Sequence, residues 1–185
     1  MPDDLAQECF FFRSELGYAG VMTAVRLVLL LGMLAGCGHG ALPPSAPNDK
    51  LGQVVSFSLP SNDGTLVTVP VQGAHATVLD FFGPTCEPCK KALPELYAQR
   101  HTLEARNSKL ILVAVLADGE SSDDAKRALQ AWGVDAPFLV DSHETGRREA
   151  GVTALPATMV LDAQGVTKWV APAAAAVEDV IAAAE

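Results

Sequence analysis

Cys86-Glu87-Pro88-Cys89 is the stretch whose residue types and spacing carry a definite chemistry. If a helix begins at the first cysteine, the second lies one turn later on the same face, and the two thiols can form and break a disulfide. The apolar run Ala76–Phe82 just ahead suits a buried strand, which places Cys86 at the strand-to-helix junction. There its sulfur meets unpaired backbone N–H groups and the positive end of the helix dipole, which favour thiolate over thiol. Cys86 is the expected nucleophile. Cys89 is then positioned to attack the mixed disulfide from within. A purely structural disulfide is a weaker reading, because loop-closure stabilisation grows with the loop and this ring is nearly the shortest possible. Zinc is weaker still, since no second CxxC exists and His75 and His101 are not at paired ligand spacing. Neither a metal nor a cofactor is expected.

Glu87 and Pro88 are the residues expected to tune the pair. A carboxylate directly after the nucleophile opposes the helix N-terminus by like-charge repulsion, so the reduced form is less stabilised than in a strong oxidant. With no basic or histidine residue between the cysteines, a reducing potential is expected. A reductant in an oxidising compartment must be recharged, which implies a membrane electron donor as partner.

The remaining cysteines, Cys9 and Cys37, fall in other contexts. Arg26 precedes the apolar run Leu27–Leu34, the layout of a secretory signal, and the run is shorter than the about 20 residues needed to span a bilayer. It ends in Leu34-Ala35-Gly36-Cys37, which resembles the lipobox of bacterial lipoproteins, with cleavage before Cys37 and acylation of its thiol. The competing reading is a signal anchor with Cys37 incidental; both send the rest of the chain outward. Asp3, Asp4, Glu8 and Glu15 are acids where a leader should be basic, so Met22 is the expected start of translation. The expected organisation is a leader over 1–36, a lipidated cysteine and tether over 37–49, and one domain over 50–185. The tether is rich in Gly, Pro and Ser, and its His39 reads as solvated. The mature protein is expected in the cell envelope, membrane-anchored and facing the periplasm or exterior.

Composition narrows the function classes. Hydrophobic residues make up 49% of 185, enough for one packed core but not for a second enzyme domain. Acids outnumber bases 22 to 13 without any basic cluster, so nucleic acid is excluded as a partner. Protein disulfides are the expected substrates, and the chain is expected to be monomeric.

From about Lys50 the pattern alternates between strand and helix, which predicts an α/β domain. A β-element is expected over Thr65–Val71 after the Asn62-Asp63-Gly64 turn, and strands over Ala76–Phe82 and Leu110–Leu116. Leu93, Leu96, Tyr97 and Leu103 predict one helix from Glu87 to about Arg106, kinked at Pro94. Ser122 is the expected cap of a second helix carrying Ala125, Ala128, Leu129 and Trp132 on its inner face and stopping at Gly133. Further expectations are a strand over Pro137–Val140, a short helix over His143–Ala150, and a strand over Thr158–Leu161. A turn over Asp162–Gly165 leads to a strand over Val166–Val170, and a last helix covers Ala173–Ala184.

With these elements in place, the sequence resembles the thioredoxin superfamily, and within it the membrane-anchored TlpA/ResA group. The resemblance rests on Val78-Leu79-Asp80-Phe81-Phe82, on Cys86-Glu87-Pro88-Cys89-Lys90-Lys91, and on Val152-Thr153-Ala154-Leu155-Pro156-Ala157-Thr158. It implies a thioredoxin-like fold, a central mixed β-sheet flanked by helices with an N-terminal β-extension. It also implies that Pro156 is a cis-proline and that Leu155 and Pro156 lie beside the cysteines, offering backbone groups to an extended substrate. Asp80 matches a buried acid that moves protons to and from the resolving cysteine, and its apolar neighbours Leu79 and Phe81 favour burial and a raised pKa. Two departures stand out. Thr85 replaces the usual aromatic before the first cysteine, and Ala92 stands where ResA carries an acid, so the resemblance does not extend to apocytochrome c as the expected substrate. A peroxiredoxin on the same fold requires Pro-x-x-x-Thr/Ser-x-x-Cys, whereas Pro84, Thr85 and Cys86 are consecutive. A Sco-type copper module requires Cys-x-x-x-Cys with a distant His; His143 is the candidate, but the cysteine spacing is one residue short.

Overall fold

A computed structural model describes residues 50–171 and 175–185. The leader, Met22, Cys9, Cys37 and the tether with His39 lie outside the described residues.

The chain enters through β1 (Phe57–Pro60) and β2 (Leu66–Val69), an antiparallel pair joined across the Asn62-Asp63-Gly64 turn. Gly64 takes a left-handed φ of 87°, which suits glycine in that turn. β1 alternates strictly, Phe57 and Leu59 buried and Ser58 and Pro60 exposed, the period of a strand with one wet face. Next comes β3 (Ala76–Phe82), all seven residues buried, followed directly by α1 (Glu87–Ala98) and α2 (Arg100–Ala105). Then follow β4 (Ser108–Val115), α3 (Ser122–Ala131), β5 (Phe138–Asp141) and α4 (Thr145–Glu149). The chain closes with β6 (Ala157–Asp162), β7 (Thr167–Val170) and α5 (Val177–Ala183).

The main sheet has the order β5-β4-β3-β6-β7, with β3 parallel to β4 and antiparallel to β6. β3 is central, which is why it tolerates no exposed position. Its side chains alternate between two cores. Leu79 and Phe81 face a cluster with Val55, Phe57, Leu59 and Val69 of the N-terminal segment. Val78 and Phe82 face the helices: Phe82 packs with Cys89 and Leu93 of α1 and Leu129 of α3, and Val78 packs with Leu96, Leu103 and Val180. The N-terminal segment crosses the sheet from one edge to the other. Thr167 donates its N–H to the Gln53 carbonyl at 2.8 Å, and Asn62 donates its N–H to the Phe138 carbonyl at 2.9 Å. This is the central mixed sheet with flanking helices and N-terminal β-extension that the resemblance implied.

Several boundaries differ from expectation. The single helix expected from Glu87 to about Arg106 is two, interrupted at Gln99, with Pro94 inside α1. Arg100 answers the break by placing its guanidinium over the Tyr97 ring, 4.4 Å from the centroid, and donating to the Tyr97 carbonyl at 3.3 Å. α3 is capped by Ser121 rather than Ser122: Ser121 Oγ accepts the Asp124 N–H, while Asp124 Oδ2 accepts the Ser121 N–H at 2.8 Å. Gly133, at φ 78°, ends the helix as expected, with the Val134 N–H returning to the Leu129 carbonyl at 2.9 Å. α4 starts at Thr145, and His143 is exposed in the turn ahead of it. The last helix begins at Val177 instead of Ala173.

Candidate active site

The strand-to-helix junction forms as the residues require. β3 ends at Phe82, a short turn over Gly83–Thr85 follows, and Cys86 occupies the N-cap of α1 with extended backbone at φ −78° and ψ 100°. Its Sγ accepts the Cys89 N–H at 3.2 Å, so the sulfur takes the place that a Ser or Asp oxygen fills at an ordinary cap. Pro88 lies in the first turn, where its missing N–H leaves no helical bond unmade. Cys86 and Cys89 are joined in a disulfide, with their Cα atoms 5.3 Å apart. The two sulfurs differ in access: Cys89 is wholly buried against Phe82 and Leu93, whereas Cys86 is half-buried at the rim. Glu87 and Pro88 are both exposed beside it.

Two other segments meet this junction. Leu155 packs with the cluster that includes Cys86, and a Cβ placed on Gly83 would come within 3.3 Å of Leu155 Cδ1 and 3.9 Å of Cys86 Cβ. Gly83 therefore leaves the room that lets Leu155 lie close to Cys86. The Leu155–Pro156 peptide is cis, and so is Val69–Pro70, which nothing in the sequence pointed to. From the β4–α3 loop, Glu120 reaches the residue before the nucleophile: its Oε1 accepts from Thr85 Oγ1 at 3.2 Å, and its Oε2 accepts the Ala117 N–H at 2.9 Å.

Below the junction, Asp80 is 3% exposed on the α1-facing side of β3, between Val78 and Phe82. Its Oδ2 accepts from Thr158 Oγ1 at 2.7 Å, its partner across β6, while Oδ1 has no partner among the described residues. Burial pushes the Asp80 carboxyl up to about 7, and the single Thr158 hydrogen bond only partly opposes it. A carboxyl that titrates near neutrality inside an apolar strand is able to hold or release a proton there.

Sequence reasoning did not reach Thr158 or Glu120. Thr158 becomes relevant only through the β3–β6 register, and Glu120 only through a loop 35 residues from its partner in the chain. Among the described residues no group of three or more His, Cys, Asp or Glu side chains is placed to hold a metal ion. His75 Nε2 instead lies 2.6 Å from the Glu185 carbonyl, and His101 pairs with Glu104. Nor is any described helix long and apolar enough to cross a membrane.

Residues 51–170 match the AhpC/TSA family, most of the described chain. The chain belongs to that family. This AhpC/TSA chain is 26% identical over 110 residues to the thiol-disulfide oxidoreductase ResA of Bacillus subtilis, a match covering 60% of each chain. It is 23% identical over 140 residues to the sporulation thiol-disulfide oxidoreductase A of the same organism, covering 75% of this chain and 81% of that one. In three dimensions it superposes on StoA from Bacillus subtilis with a TM-score of 0.62 at 20% identity, covering 72% of this chain and 99% of that one. The AhpC/TSA chain thus has a thioredoxin-like fold, with its CxxC pair at disulfide distance at the helix start.

Proposed function

We propose that this protein is a thiol–disulfide oxidoreductase that acts on protein disulfides outside the cytoplasm, as a reductant. The observation that carries the reading is the asymmetric pair at the head of α1, with Cys86 half-buried at the N-cap and Cys89 buried behind it. In the cycle, the Cys86 thiolate attacks one sulfur of a client disulfide, the other client sulfur leaves as thiolate and takes a proton, and a mixed disulfide forms. Cys89 gives up its proton to Asp80 and attacks the Cys86 sulfur. The second client thiolate is released, and two electrons have passed from the dithiol to the client. Leu155 and Pro156 contribute the surface on which the client chain lies, and Glu87 and Pro88 set the potential. A membrane electron donor returns the pair to its dithiol form.

The test is redox titration of the purified protein against glutathione and dithiothreitol, with insulin disulfide reduction as the activity. The midpoint is expected nearer that of thioredoxin, about −270 mV, than that of DsbA, about −120 mV. A potential at the DsbA end reverses the direction. The peroxidase reading is tested in the same preparation: consumption of hydrogen peroxide at rates matching insulin reduction would replace the thiol–disulfide reading.

Cys37 is proposed as the lipid anchor, motivated by Leu34-Ala35-Gly36-Cys37 and placing the domain as a monomer at the envelope surface. Mass spectrometry of the membrane-extracted protein is expected to find an acylated N-terminal Cys37. A mature peptide running intact through Gly36 and Cys37 would rule it out.

A further inference from the structure

α4 is a five-residue helix with an unusual start. Its N-cap, Glu144, lies in the left-handed region at φ 54° and makes no side-chain capping bond. Asp141, wholly buried at the end of β5, supplies the missing acceptor: its Oδ2 takes the Arg147 N–H at 2.8 Å. On its other side α4 is seated on β1. A Cβ on Gly146 would come within 2.9 Å of Leu59 Cδ1 and 3.1 Å of Phe57 Cε2, so any larger residue must push those side chains aside to keep that approach. Strand β5 and the N-terminal hairpin thus fix where α4 stands.

What α4 holds is Arg147, each of whose three guanidinium nitrogens makes a hydrogen bond. Nε donates to the Val152 carbonyl at 3.0 Å, Nη2 to the Thr153 carbonyl at 3.1 Å, and Nη1 to Glu144 Oε1 at 2.8 Å. The backbone adds a further bond, from the Val152 N–H to the Arg147 carbonyl at 2.9 Å. Downstream, Ala157 is already paired with Phe81 in the sheet. Only Ala154, Leu155 and Pro156 lie between these two anchors, and Leu155 packs against the same cluster as Cys86, both reaching the space over Gly83. Losing the fork would free two carbonyls and lengthen the untethered span next to the disulfide.

We propose that Arg147 is a positioning residue for the client-binding segment, holding Val152 and Thr153 so that Ala154–Pro156 is preset against the Cys86–Cys89 pair. The proposal rests on the thiol–disulfide reading of the site. An extended client needs the segment's backbone in place, whereas a compact disulfide needs only the sulfur. Arg147 therefore acts on client selection more than on the exchange step.

The experiment compares the reduced full chain, as wild type, Arg147→Ala and Arg147→Lys, acting on insulin and on dithiobis(nitrobenzoate). For Arg147→Ala, the ratio of kcat/KM for insulin to that for the small disulfide is expected to fall about ten-fold, with the change in KM. Arg147→Lys, which keeps the charge without the fork, recovers only part of that ratio. Both substrates losing rate in proportion, or an unchanged ratio, overturns the proposal. If Arg147→Ala does not fold, the same ratio in Arg147→Lys decides. Wild-type protein that reduces neither substrate overturns the thiol–disulfide reading itself, a result obtained before any variant is compared.

Discussion

Cys86→Ser is expected to lower disulfide exchange by about a thousand-fold or more, and Cys89→Ser is expected to convert the protein into a trap. The two variants differ because the sulfurs differ in access. Cys86 lies half-buried at the helix N-cap, whereas Cys89 is 0% exposed among Phe82 and Leu93. A client disulfide therefore meets Cys86 first, and no client reaches Cys89 without opening the core. With Cys89 absent, the mixed disulfide at Cys86 has no resolving thiol and accumulates. Non-reducing electrophoresis followed by mass spectrometry of the bridged peptides checks the assignment. Equal trapping by both variants would mean that either sulfur attacks, which the burial of Cys89 forbids.

Asp80→Asn is expected to raise stability in alkali while removing an inflection from the rate profile. The folded-state carboxyl is raised to about 7 from an ordinary 3.8, so the native protein binds the proton more tightly than the unfolded chain does. The stability this lends is fully present below the ordinary value, declines as pH rises, and is gone once pH has passed through about 7. Above that point a bare carboxylate sits in the core with one hydrogen bond. Relative to wild type, the variant should therefore gain about 2–3 kcal/mol between about pH 5 and pH 8, measured by urea unfolding at each pH. The resolving step in wild type should accelerate through the same region as Asp80 becomes able to accept the Cys89 proton, and the variant should lack that rise. Parallel pH dependence of stability and rate in the two proteins would leave Asp80 with no proton role.

The sequence made the centre of this molecule legible and its connections less so. β3 was readable to the residue because a strand buried on both faces is a nearly continuous apolar run, in which Asp80 is the one ionisable residue. The Cys86 helix start was equally plain, since strand, turn and CxxC follow one another without a gap. The break at Gln99 was not. Ala98-Gln99-Arg100 contains neither glycine nor proline, so nothing local marks the interruption. β1 could have been located from the alternation of Val55, Phe57 and Leu59, which marks one apolar face at period two. Arg147 offered no local signal. Its partners are backbone carbonyls, and a carbonyl has no identity in a sequence.

The path of the N-terminal segment has a further result for the molecule's behaviour in company. A five-stranded open sheet ends in two margins, here β5 and β7, each offering a row of backbone donors and acceptors to any passing strand. The segment crosses the whole sheet and touches both, bridging Val166 with Val54 at one margin and Leu139 with Ser61 at the other. A single stretch of about ten residues, Gly52 to Asn62, therefore guards both flanks against intermolecular strand pairing. Were that stretch to peel away, the domain would lose cover over its first core and expose both flanks to self-association in one event.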